Sequence, residues 1–324
     1  MKNKLISLFS TACLLSIVGP QPALAQEAPQ VRIEPSASYL FAERADGPLW
    51  LDVYAPAKGT ENEGLPTVLY VFGGGFKTGS RDNVYLMPFF KRLTDSGYRV
   101  VSIDYRLGLK DVTKMGIAQR DLLKKAIDMA VEDLFSATVF LCNNAGVTGV
   151  DPANIVLCGS SAGAITILQA DWERCNGGAL ASVLPKDFSY AGLVSFSGAV
   201  YSDRGKVAYR NAAPAPTVLF HGIDDKIVTY KKIALFNLCF GGSDCLYPVL
   251  LKSGVPCAIY RFAGIGHEVA ASMMRNFPLM DRFIRANVCG GGVFCEDATI
   301  TDSTIKPWEI KSLDELYSPS APSL

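Results

Sequence analysis

The sequence predicts an α/β fold built on a mostly parallel sheet with helices on both faces. Three observations predict it. Apolar runs of strand length alternate with longer stretches of helical period from about residue 48 to 290. Several of the runs are apolar throughout, as strands covered on both faces are. The motifs with chemical character fall just after those runs, at the strand ends where open α/β sheets gather their ligands.

The first 25 residues stand apart. Lys2 and Lys4 precede an apolar stretch from Leu5 to Val18, Gly19-Pro20 breaks it, and Ala23-Leu24-Ala25 offers small residues for cleavage before Gln26. This is the pattern of a removed signal peptide and predicts export, periplasmic or secreted. Thr11-Ala12-Cys13 is the alternative, a lipoprotein site at Cys13. No later stretch reaches about 18 uninterrupted apolar residues, so no integral membrane association is expected.

Residues 26–288 then read as one catalytic domain. Strands are expected near 50–55, 67–72, 99–104, 154–159, 191–197, 216–221 and 257–262, and helices near 84–96, 118–137, 162–173, 230–239 and 269–286. Residues 289–324 change character, being rich in Asp, Thr, Ser and Pro with Trp308 and Tyr317 interspersed. They form a C-terminal extension, read either as a strap on the domain or as a tail.

Gly159-Ser160-Ser161-Ala162-Gly163 is a G-x-S-x-G run between the apolar Ile155-Val156-Leu157-Cys158 and the helix-compatible Ala164 to Ala170. Strand, tight turn and helix project a serine from the sheet edge, and the helix N-terminus offers free N–H groups to a charge forming beside it. Ser161 is the candidate nucleophile. Upstream, Leu69-Tyr70-Val71-Phe72 runs into Gly73-Gly74-Gly75, a loop whose backbone can approach a ligand and donate N–H groups. Downstream, Thr217 to Phe220 leads into His221-Gly222-Ile223-Asp224-Asp225, and Gly264-Ile265-Gly266-His267 follows. Only two histidines exist in the chain. His221 precedes the candidate acids, so His267, last in the order Ser, Asp, His, is the candidate base and His221 a structural residue. Asp224 and Asp225 compete for the acid.

Taken together, these segments resemble the α/β-hydrolase superfamily, and within it bacterial carboxylesterases related to hormone-sensitive lipase and to acetylxylan and feruloyl esterases. The resemblance rests on Gly73-Gly74-Gly75, on Asp104-Tyr105-Arg106-Leu107, on Asp151 to Ile155 leading into Gly159 to Gly163, and on His221 to Asp225 with Gly266-His267 beyond. Where that family usually carries His before the glycines, this chain has Phe72. The resemblance implies an α/β-hydrolase fold with a minimal lid, since only about 20 residues separate the strand ending near Ser197 from the next. It favours Asp225 as the acid. It also implies an oxyanion hole from the N–H groups of Ala162, Gly74 and Gly75, and a metal-free, cofactor-free serine carboxylic-ester hydrolase. Phe76, Arg81 and Tyr201 are candidate pocket walls, whereas Ser160, Tyr105 and Arg106 read as structural.

The substrate implied is a small-molecule or polysaccharide-linked ester carrying a short acyl or hydroxycinnamoyl group, which an uncapped cleft suits better than long-chain lipid. A peptidase of the prolyl oligopeptidase type is the alternative, but the chain has no room for its propeller. A non-catalytic binding protein of the same fold is a further one. The chain carries 31 basic and 31 acidic residues, and loss of the leader leaves 29 against 31, so no nucleic-acid footprint is present. Of nine cysteines, eight remain after the leader. An even count in an exported chain suggests local disulfides, Cys239 with Cys245 and Cys289 with Cys295.

Overall fold

In a computed structural model, residues 31–60, 64–112 and 120–308 are described. The expected leader, Cys13 and Tyr317 lie outside them.

Among the described residues, nine strands form one sheet in the order β1-β2-β4-β3-β5-β6-β8-β11-β12. Its centre is β3 (Thr67–Val71), β4 (Arg99–Ile103), β5 (Ile155–Ser160), β6 (Gly192–Phe196), β8 (Thr217–Gly222) and β11 (Cys257–Phe262), all parallel. These are the uniformly apolar runs, and they are buried almost throughout because helices cover both faces. On one side β2 (Gly47–Tyr54) pairs antiparallel with β4 and with the edge strand β1 (Ala37–Arg44). β1 alternates between half-buried and exposed residues, as an edge with one covered face does.

The helices follow the apolar spacing. α1 (Met87–Asp95) begins with Pro88 in its first turn and buries Phe89, Phe90 and Leu93 on one face. α2 (Arg120–Asn143) runs further than the sequence suggests, and a short α3 (Ala145–Thr148) follows it. α4 (Ala162–Asn176) leaves the elbow through the middle of the molecule, buries nearly every residue, and stops at Gly177 in the left-handed conformation. α6 (Met273–Ile284) closes the domain.

Two expectations are corrected. The helix expected near 230–239 is a hairpin, β9 (Lys232–Leu235) and β10 (Leu238–Gly242), joined at Phe236-Asn237. Phe236 takes φ 52°, which turns the chain back after two residues. The apolar spacing of Ile233, Leu235 and Leu238 fits either period. The hairpin joins β7 (Ala199–Ser202) in a second, three-stranded sheet, and the helix begins later, as α5 (Ser243–Lys252).

The second correction concerns cysteine. All eight described cysteines are free thiols. The thiols of Cys239 and Cys245 are hydrogen-bonded neighbours. Cys295, however, sits against Cys257 rather than Cys289, because the two precede the Ala258–Glu296 register pair of adjacent strands.

Beyond residue 288 the described chain stays on the domain, as the strap reading expects. This segment contributes β12 (Glu296–Ile300), parallel to β11 at the sheet edge, so residues 289–308 are a strap integral to the domain.

Candidate active site

Ser161, Asp225 and His267 come from the carboxyl ends of three central strands and meet. Ser161 follows β5 directly and precedes α4, with φ 52° and ψ −117°, a conformation costly for any residue but glycine. The surroundings hold it. Its N–H donates to the Phe196 carbonyl at 2.9 Å and its own carbonyl accepts from Ile165 at 2.9 Å. The flanking glycines are needed for close packing: a Cβ on Gly163 would lie 2.0 Å from the Val71 carbonyl oxygen, and one on Gly159 2.5 Å from that of Gly163. Ser160 donates to the Ala270 carbonyl at 2.7 Å and so ties the elbow to the loop of His267.

The Ser161 hydroxyl lies 2.8 Å from His267 Nε2, and His267 Nδ1 lies 2.7 Å from Asp225 Oδ2. A carboxylate accepts only, so Nδ1 carries the ring hydrogen and Nε2 faces Ser161 as acceptor. All three residues are buried. Asp225 Oδ1 accepts the N–H groups of Ile227 and Val228, both at 2.9 Å. Its Oδ2 also lies 3.3 Å from His221 Nε2. Burial alone would raise the Asp225 pKa, but His267 and His221 outweigh it and hold the carboxyl well below the usual carboxylate range. Asp224 is exposed at the loop surface, and its N–H goes to the Ile265 carbonyl.

His221 is fully buried at the end of β8. Its Nε2 lies 3.0 Å from the Val228 carbonyl and its Nδ1 2.8 Å from the Ser243 hydroxyl. The carbonyl requires the hydrogen on Nε2, leaving Nδ1 to accept from Ser243. It braces the loop of the acid, a contact that chain order alone does not reveal.

A cavity of about 480 Å³ opens above Ser161 and His267. Gly73 and Gly74 line it, while Gly75 is buried and does not. Gly74 takes φ 111° and its carbonyl accepts from both Lys77 and Thr78, which folds the loop into a tight turn. A Cβ on Gly73 would stand 3.3 Å from the Ser161 Cβ, so this glycine approaches the serine directly. Ala162, buried, opens α4 with its N–H unused by the helix. Phe72 stacks on Tyr105 with ring centres 4.3 Å apart, and Gly79 leaves room for its ring.

The expected walls lie elsewhere. Phe76 is packed in the core, Tyr201 belongs to β7, and Arg81 is paired with Asp52 and Asp104 at 2.9 and 2.7 Å. The aromatic and apolar walls are instead Tyr70, Tyr85, Leu86, Met273 and Trp308. Tyr85 and Trp308 carry no local motif; the one signal is a tryptophan inside a polar tail. Tyr105 is buried and Arg106 pairs with the buried Asp133 at 2.8 Å, both structural. Among the described residues no group of three or more His, Cys, Asp or Glu could hold a metal ion, and no helix is long and apolar enough to cross a membrane.

The BD-FAE family model matches residues 51–171, from β2 through the elbow into α4. Over 121 residues the chain is 34% identical to gut esterase 1 of Caenorhabditis briggsae, a stretch covering 37% of this chain and 20% of that protein. It is 31% identical over 124 residues to the fumonisin B1 esterase of Sphingopyxis macrogoltabida, covering 36% and 21%. The chain thus spans about a fifth of the length of these curated relatives. The propionate-bound structure of esterase Est2 from Thermogutta terrifontis superposes with a TM-score of 0.58 at 20% identity, over 80% of this chain and 94% of that one. The chain has the α/β-hydrolase fold.

Proposed function

From that fold and the array at its strand ends, we propose that the chain is an exported serine carboxylic-ester hydrolase. One observation carries the reading. A buried serine hydroxyl, a histidine and a carboxylate stand in hydrogen-bonded series, at 2.8 and 2.7 Å, under an open cavity.

Chemistry follows from the hydrogen positions. The hydroxyl of Ser161 is too weak a nucleophile alone, so His267 Nε2 takes its proton as Oγ bonds to the ester carbonyl carbon. The resulting oxyanion is held by N–H groups of Ala162 and Gly74, such donors contributing roughly 3 kcal/mol each in comparable sites. Collapse breaks the bond to the alcohol oxygen, which leaves with the proton from His267. Water then repeats the sequence on the acyl-serine, giving its proton to His267, and the acid is released as Ser161 is re-protonated. Asp225 keeps the imidazole in its working tautomer and stabilises the imidazolium.

Short-acyl and hydroxycinnamoyl esters of carbohydrates suit the open cavity. No residue of the three-stranded sheet lines it, so the alcohol part of a substrate has room to extend outward. A series of p-nitrophenyl esters, acetylated xylan and methyl ferulate tests this. The expected outcome is hydrolysis favouring short acyl chains or ferulate, while a profile peaking at C10 or longer overturns the substrate assignment.

A further inference from the structure

Glu268 follows His267 directly and is 7% exposed. A buried carboxylate is costly unless its oxygens find donors. Glu268 finds no cation among the described residues; both its oxygens go to backbone amides. Oε2 accepts from Gly266 at 2.6 Å, inside the histidine's own loop, and Oε1 accepts from Trp308, forty residues on. Charge-assisted bonds of this kind are strong and directional. The strap is held at two earlier points as well, by the register of β12 on β11 and by the ion pair of Arg275 with Asp302 at 2.9 Å. Three attachments therefore deliver residue 308 to a fixed place one residue away from His267.

What they deliver is a half-buried indole that lines the cavity over Ser161. Tyr70 and Met273 lie deep in the same cavity, the tyrosine hydroxyl 3.4 Å from the methionine sulfur, and Tyr85, 45% exposed, lies at its mouth. Indole offers a large flat face at small entropy cost and gains most against another flat ring. An aliphatic acetyl or ethyl group would leave most of that face unused.

Resting on the ester-hydrolase reading above, we propose that Trp308 is a specificity-determining residue, the wall against which a ring-bearing group of the ester lies, with Glu268 as the residue that positions it. A polar C-terminal segment thereby returns to the site, and a carboxylate is buried beside the histidine with no cation among the described residues.

Ethyl acetate, phenyl acetate and methyl cinnamate separate the cases, since they carry no ring, a ring on the alcohol and a ring on the acyl group. Trp308→Ala should lower the kcat/KM of the better ring-bearing ester relative to ethyl acetate about tenfold, mainly through KM, and Trp308→Phe should restore most of that ratio. Glu268→Gln, which weakens the anchor, should move the ratio the same way by less. Ratios equal within twofold across wild type and Trp308→Ala overturn the inference and leave the hydrolase reading standing. A wild type inactive on all three overturns the hydrolase reading instead. Calorimetric binding of 4-hydroxycinnamate then decides about Trp308 without turnover: about tenfold weaker binding to Trp308→Ala supports the wall, and equal binding refutes it.

Discussion

The two histidines touch the same oxygen of the same carboxylate, yet their surroundings give them different work. His267 reaches Asp225 Oδ2 through Nδ1 at 2.7 Å and turns Nε2 to Ser161 at the cavity. His221 reaches that oxygen through Nε2 at 3.3 Å, shares the hydrogen with the Val228 carbonyl, and has Nδ1 occupied by Ser243. His267 has one nitrogen free for chemistry; His221 has none. The second nitrogen, more than burial or the acidic partner, separates the proposed base from the brace.

The largest expected effect bears on the side proposed to react. Ser161→Ala, His267→Ala and the double variant should each lose at least about 10⁴-fold in kcat and end at similar residual activity, because residues acting as a unit are not additive. Losses that multiply in the double variant would show that the two act independently. Asp225→Asn should cost about as much, by presenting the wrong hydrogen to Nδ1, whereas Asp224→Asn, at an exposed side chain, should stay within a few-fold. The reverse order would move the acid to Asp224.

On the bracing side the effect is smaller. His221→Phe removes one donor from a charged acceptor and should lower kcat/KM about tenfold, with His221→Gln recovering part of it through its amide N–H. A loss as large as that of His267→Ala would erase the distinction between the two. The smallest effect is on acid stability. Because both histidines depress the Asp225 pKa below its unfolded value of about 3.9, this carboxylate stabilises the fold fully above about pH 5, and that contribution is lost as pH falls through the carboxylate range. Urea unfolding at stepped pH should show a shallower acid slope in Asp225→Asn. An equal slope would mean that the histidines do not hold the charge.

The sequence showed most of this arrangement because much of it is local. Gly159, Ser161 and Gly163 are fixed by a turn that one strand and one helix define, and apolar runs announced the six strands at the centre of the sheet. Edge strands were less legible: β1 and β12 have one covered face and a weak alternating pattern. The hairpin at Lys232 to Gly242 read as a helix because its apolar spacing fits both periods, and pairing with β7 decides between them. Trp308 and Tyr85 were beyond reach for another reason. Their place at the cavity depends on where distant segments return, Trp308 through a hydrogen bond from its backbone N–H to the Glu268 carboxylate, and no pattern along the chain encodes that.

The proposed function requires Ser161 to be a nucleophile made reactive by His267. Intact-mass measurement after treatment with a fluorophosphonate tests it most directly. One adduct is expected on the wild-type chain, mapped to Ser161, none on Ser161→Ala, and labelling slowed by orders of magnitude on His267→Ala. A folded wild type that takes up no probe, or labelling that persists on Ser161→Ala, would contradict it.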